Sequence, residues 1–256
     1  MATTTLKTVP KISVKIWRPI IEKLDKKLDA ACLRRDAYLR RVLEVEASAL
    51  DCEVVIPNSK ASNDHVFAKL DEFDRKLVSL ALPSELTERL NTVCARKRIV
   101  RDAFFNRLFL LLAAAPKVID SLLFSDVGSE WRREVWSEYK HDGPFFQNGF
   151  YPLEPEIDPF WAIRAGLEHY RGELKLEDYV EPETGETVLV ERTLTGEPVP
   201  PDSLYTTVFH QKGKDGTNDL VGMSCYLPDW LVPGHNAAKA HQAKLDELLG
   251  DLVSLP

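Results

Sequence analysis

The segment Arg34–Leu43, RRDAYLRRVL, returns sixty-six residues later as Val100–Phe109, VRDAFFNRLF. Sliding the chain by that step aligns Ile12–Leu43 with Val78–Phe109 without a gap. Ser13 then matches Ser79, Leu24 matches Leu90, Asp36 matches Asp102, and Arg41 matches Arg107. Self-similarity of this kind denotes one supersecondary unit used twice, and two copies are too few for a solenoid. Any fold of this chain has to accommodate two like units.

Each unit opens with strict alternation. Ile12, Val14 and Ile16 point one way while Lys11, Ser13 and Lys15 point the other; in the second copy Val78, Leu80 and Leu82 alternate with Leu77, Ser79 and Ala81. Period two predicts a short strand with one buried face. A period near 3.6 follows, carried by Ile20, Leu24, Leu28 and Ala31 and by Leu86, Leu90 and Val93. Pro19 and Pro83-Ser84 open these stretches as helix starts, because proline in a first turn costs no helical hydrogen bond. After a polar break at Arg34–Asp36 or Arg96–Arg98, a second helix is predicted on Tyr38, Leu39, Val42 and Leu43, or on Phe104, Phe105, Leu108 and Phe109. The unit reads strand, helix, helix.

In that order of elements, and best in LVSLALPSELTERL at Leu77–Leu90, the chain resembles the ribbon-helix-helix superfamily of DNA-binding proteins, the Arc and MetJ type. The other copy, KISVKIWRPIIEKL, has Trp17-Arg18 where the usual proline start stands. The resemblance covers about residues 10–50 and 75–115. It implies a tandem ribbon-helix-helix pseudo-dimer over residues 1–115, its two strands paired antiparallel; residues 116–256, which the resemblance does not reach, are expected from their own pattern to form a small α+β C-terminal domain, so the chain is expected to be α+β. The Asp51–Arg75 connector reaches ~80 Å when extended and so does not limit that pairing, and tethering in one chain favours it through effective concentration.

A two-stranded ribbon fits the major groove, where residues on its outward face meet base edges. Copy one offers Lys11, Ser13 and Lys15, two cations and a hydroxyl; copy two offers Leu77, Ser79 and Ala81, with no charge. The resemblance implies phosphate contacts at the N-terminus of each second helix, where Arg34 and Arg35 lie in copy one and Arg101 in copy two; free amides and the helix dipole attract anions there. Asp36 and Asp102 occupy the same place and are expected to cap these helices themselves. The expected partner is double-stranded DNA and the expected role a repressor-like transcriptional regulator, with a protein partner or ligand on the C-terminal domain. The alternative is an interaction scaffold, or a partition, relaxosome or antitoxin-type accessory protein. Copy two then serves as a docking surface, since DAFFNRLFLLLAA is apolar nearly all round, as in a helix buried on several sides.

Charge divides with the chain. Residues 1–120 hold 22 Lys+Arg against 16 Asp+Glu, net +6, and residues 121–256 hold 11 against 24, net −13. A basic half joined to an acidic one is expected where one half meets an anion. The 44% apolar content supplies a core. No signal peptide or bilayer span is recognised, and four dispersed cysteines without a CxxC pair fit a reducing cytoplasm. Beyond Glu130 a dense set of aromatic residues, among them Trp131, Trp136, Phe160, Trp161 and Trp230, implies a packed module, with helices predicted near Pro116–Tyr139, Pro159–Arg171 and His235–Leu252. Strands are predicted at Thr187–Leu194, Leu204–Gln211 and Leu220–Leu227, the last two as a hairpin across Lys212–Gly216. The histidines form no metal spacing, and a Ser224-Cys225 and His210 arrangement reads as structural rather than catalytic; neither an enzyme nor a cofactor is expected.

Overall fold

Strand β1, Lys11–Trp17, and strand β2, Arg75–Ala81, pair antiparallel within the chain, each burying the apolar side of its alternation. The computed structural model describes residues 11–123, 158–160, 163, 164, 167, 177–182, 184–192, 196–209 and 220–253. The register carries the repeat. Ser13 stands opposite Ser79, its own counterpart; Ile12 faces Leu80, the counterpart of Val14, and Lys11 faces Ala81, the counterpart of Lys15. A pseudo-twofold axis therefore crosses the ribbon between the two serines.

Helix α1, Arg18–Ala30, starts with Pro19 in its first turn, and α2 runs from Arg35 to Glu53. Their counterparts are α4, Ser84–Arg96, and α5, Arg101–Ala113. Between the helices of each pair sits one residue in the left-handed region, Cys32 (φ 56°) and Arg98 (φ 50°), sixty-six positions apart. The bonds around them are also the same. Leu33 N–H donates to the Leu28 carbonyl and Ile99 N–H to the Cys94 carbonyl, closing each first helix with a Schellman motif that turns the chain into the second. The helices then cross between units: α1 packs on α5 and α2 on α4. Every apolar position expected on the strands is buried, as are Leu24, Leu28, Leu90, Leu39, Leu43, Phe105 and Phe109 on the helices.

The connector between units is not an extended tether. Helix α3, Lys60–Asp71, lies in it, its first turn capped by Ser59 Oγ, which accepts from Ser62 N–H. A 3₁₀ turn, Leu220–Met223, rests on α3 so closely that a Cβ on Gly222 would lie 2.5 Å from Leu70 N, a position only glycine can hold. Helix α6, Pro116–Leu123, follows α5. A second antiparallel sheet comprises β3, Glu177–Val180, β4, Thr187–Arg192, and β5, Pro198–Val199, and the described chain ends with helix α7, Asn236–Val253.

The expected boundary at residue 115 does not divide the core. Phe160, Ile163, Leu204, Tyr205, Phe209, Met223 and Cys225 belong to the same buried cluster as the β1–β2 ribbon and its helices. All residues of α5 from Ala103 to Ala113 are buried, under α1 and β1 on one side and under α3 and the Leu220–Met223 turn on another. Arg107 marks the contact: fully buried, it donates to the carbonyls of Leu204 at 2.6 Å, Thr207 at 2.7 Å and Met223 at 3.4 Å, with its guanidinium 3.8 Å over the Phe209 ring. Desolvation pulls its pKa down to about 10, which leaves it cationic at neutral pH. Nearby, Glu46 of α2 accepts from Arg164 (2.7 and 3.1 Å) and from the Tyr205 hydroxyl, while Arg164 also reaches Glu53 and Asp158.

Two of the expected C-terminal strands are corrected. Residues 204–207 form a turn, because Ser203 Oγ accepts from the amides of Tyr205 and Thr206 and its carbonyl accepts from Thr207, an arrangement that closes the backbone locally. Leu220–Met223 is the 3₁₀ turn described above, and the segment to Leu227 is held by Asn58, which donates to the Cys225 carbonyl and accepts from Leu227 N–H. The third strand holds as Thr187–Arg192, and the last helix as α7. The first predicted helix is described only to Leu123; its remainder, most of Pro159–Arg171, His210, the Lys212–Gly216 turn and the rings from Trp131 to Tyr151 lie outside the described residues. Among the described residues no helix is long and apolar enough to cross a membrane.

Burial separates the thiols. Cys94 and Cys225 are buried, and desolvation pushes each up to about 12, whereas Cys32 and Cys52 are exposed. Alkylation of the native protein is expected to label two sites, Cys32 and Cys52, and alkylation in denaturant four; modification of native Cys225, read by peptide mass mapping, would contradict this packing.

Candidate nucleic-acid interface

Alternation puts Lys11, Ser13 and Lys15 on the outward face of β1, and the register sets Ala81, Ser79 and Leu77 directly across from them on β2. Lys11, Ser13, Lys15, Ser79 and Leu77 are all exposed. Opposed residues on such a face stand roughly 5 Å apart at Cβ, so the six side chains form three rows, Lys11/Ala81, Ser13/Ser79 and Lys15/Leu77. Neither lysine ammonium makes an ion pair or hydrogen bond among the described residues. Leu77 is 63% exposed.

The outer edge of β1 is sealed by α5. Arg101 donates from Nη2 to the Ser13 carbonyl at 3.1 Å, and Asp102 Oδ2 accepts from Lys15 N–H at 3.3 Å. Asn106 donates to the Lys15 carbonyl at 2.9 Å and accepts from Trp17 N–H at 2.8 Å. Three side chains thus satisfy four backbone groups that a two-stranded ribbon leaves unpaired. The repeat does not extend to this function. Arg35, Asp36 and Arg40 are the counterparts, and Arg35 instead pairs with Asp25 at 3.2 Å and Arg40 with Glu44 at 2.9 Å, both within their own unit. β1 is therefore fixed more firmly than β2.

Asp36 and Asp102 do not cap their helices. Asp102 is drawn to Lys15 N–H and lies 4.0 Å from Arg75, while Asp36 lies 3.8 Å from Arg35 Nε. The residues before α2 and α5, Arg34 and Val100, supply no side-chain cap either. Both first turns accordingly keep their amides, and the positive end of the helix dipole, unanswered by side chains.

The structure brings together Lys11, Ser13, Lys15 and Ser79 on one face and places Arg34, exposed, at the start of α2. It does not leave Arg35 or Arg101 free: Arg35 is engaged by Asp25, and Arg101 by the ribbon backbone and Asn91. Lys76, exposed where β2 passes the end of the core opposite Ile16, is a further cation beside the ribbon. Alternation assigns it to the buried face, so only its position at the strand end could have identified it. Arg75 lies in the outward row but is folded onto Asp71.

Comparison with protein-family models, with curated proteins and with solved structures finds no match to this chain.

Proposed function

We propose that the chain is a regulator that binds double-stranded DNA, inserting the β1–β2 ribbon into the major groove in the manner of a ribbon-helix-helix dimer fused into one polypeptide. The observation that carries this reading is the exposed ribbon face with two lysines that have no counter-charge among the described residues. Two strands about 4.8 Å apart, with their side chains, match a groove about 12 Å wide. The interlocked crossing of α1 with α5 and α2 with α4, and the axis between Ser13 and Ser79, support the twofold frame that such a reader needs. The uncapped first turns of α2 and α5, with Arg34 at one of them, are suited to phosphates flanking the groove.

The docking alternative draws on the apolar α5, against which residues 204–209 and 220–225 of the same chain already pack, and on the uncharged Leu77, Ser79 and Ala81 of β2. The test is a titration of the full-length protein against labelled duplex at several salt concentrations. Binding is expected to weaken linearly in log–log form, with a slope of about −0.9 per phosphate neutralised. Arg34→Ala is expected to lower affinity for all sequences alike and to flatten the slope by about one unit. Absence of binding at low salt would remove the regulator reading and leave the scaffold in its place.

A further inference from the structure

The axis between Ser13 and Ser79 relates positions whose chemistry differs. It carries Lys11 onto Leu77 and Lys15 onto Ala81, so both cations belong to β1 and both apolar residues to β2. A palindromic duplex centred on that axis would present identical base edges to Lys11 and Leu77, and again to Lys15 and Ala81. A lysine ammonium needs acceptors, which guanine supplies in the major groove as O6 and N7. Leu77 and Ala81 offer only hydrocarbon, whose complement there is the thymine methyl. An acceptor-rich base pair set against Leu77 gives up its hydration with nothing in exchange, a cost specificity exploits. The serines on the axis are alike and small, so the mismatch lies entirely in the two outer rows.

We infer that the DNA site read by this ribbon is non-palindromic, with a guanine facing Lys11 in one half and a guanine facing Lys15 in the other, and thymines at the two axis-related positions, which face Leu77 and Ala81. This deepens the DNA-binding reading and rests on it. The asymmetry of the ribbon's support agrees with the assignment: β1, whose lysines would make directional hydrogen bonds, is the strand held by Arg101, Asp102 and Asn106, while β2, whose contacts would be non-directional, has no equivalent clamp among the described residues.

The experiment is selection from a randomised duplex pool with three full-length proteins: wild type, Leu77→Lys/Ala81→Lys, and Lys11→Leu/Lys15→Ala. The wild type is expected to enrich a site with guanines facing Lys11 and Lys15 but not at the two axis-related positions. Leu77→Lys/Ala81→Lys makes the two strands alike and is expected to enrich a palindrome with guanines at all four positions, binding it at least about tenfold more tightly than the wild type does. Lys11→Leu/Lys15→Ala is expected to lose both guanines and gain no new ones. Circular dichroism of each protein checks that the fold is kept, as these side chains leave the core. A palindromic wild-type consensus, or one unchanged by Leu77→Lys/Ala81→Lys, overturns the inference while leaving DNA binding intact. Failure of the wild type to enrich any sequence while binding DNA overturns base reading as a whole, and failure to retain DNA at all overturns the DNA-binding reading with it.

Discussion

Arg107→Ala is expected to destabilise the protein by about 3–5 kcal/mol, from the loss of a charged donor to three buried carbonyls and of a large buried side chain. Removing the guanidinium strips the carbonyls of Leu204, Thr207 and Met223 of their donor, each a buried acceptor whose desolvation then goes uncompensated. It also opens a void beneath Phe209. Arg107→Met fills most of that void but restores no donor, so it is expected to recover only part of the loss. Arg41→Ala provides the comparison. Arg41 occupies the same position in the first unit but is exposed, and its removal is expected to change stability by no more than about 0.5 kcal/mol. Urea unfolding followed by circular dichroism decides the matter; equal losses for the two alanine variants would show that residues 204–209 and 220–223 do not lie on α5.

Lys11→Ala with Lys15→Ala is expected to have the largest functional effect. Each good base contact is worth roughly 1–3 kcal/mol, so affinity for the preferred site should fall at least tenfold, and discrimination between that site and unrelated duplex should collapse. Stability is expected to move by no more than about 0.5 kcal/mol, because both side chains project from the exposed face. The signature differs from that of Arg34→Ala, which weakens all sequences alike. A double variant that keeps the wild-type preference would show that bases are not read by β1.

What the sequence discloses and what it conceals follow from the range of the interactions. β1, β2 and the four helices of the two units could be read because period two, period 3.6 and proline starts are local, and the repeat supplied each assignment twice. Lys11, Ser13, Lys15 and Ser79 were legible for the same reason: parity alone decides which face a strand residue takes. Helix α3 leaves little trace in the sequence because its buried stripe is only Ser62, Val66 and Leu70, too narrow for a recognisable period. The Leu204–Gln211 and Leu220–Leu227 segments resemble strands in sequence because a short apolar run fits a strand and a buried turn equally well, and only Ser203 and Gly222 carry a contrary signal. The fates of Arg101, Asp102 and Asn106 depend on β1, almost ninety residues away in sequence. Arg41 and Arg107 are identical in type and in repeat position and opposite in burial, because the segments that cover α5 arrive from about a hundred residues further along the chain.

The central claim is that the outward face of the β1–β2 ribbon lies against base edges in the major groove, and methylation interference on the full-length protein tests it most directly. Guanine N7 is exposed in the major groove and adenine N3 in the minor. On a duplex the protein prefers, N7 methylation of guanines within the site is expected to reduce wild-type binding at least about tenfold, the effect should vanish for Lys11→Ala/Lys15→Ala, and N3 methylation of adenines elsewhere within the site should leave binding unchanged. Interference confined to adenine N3, or N7 interference that persists in the double-lysine variant, would contradict the account.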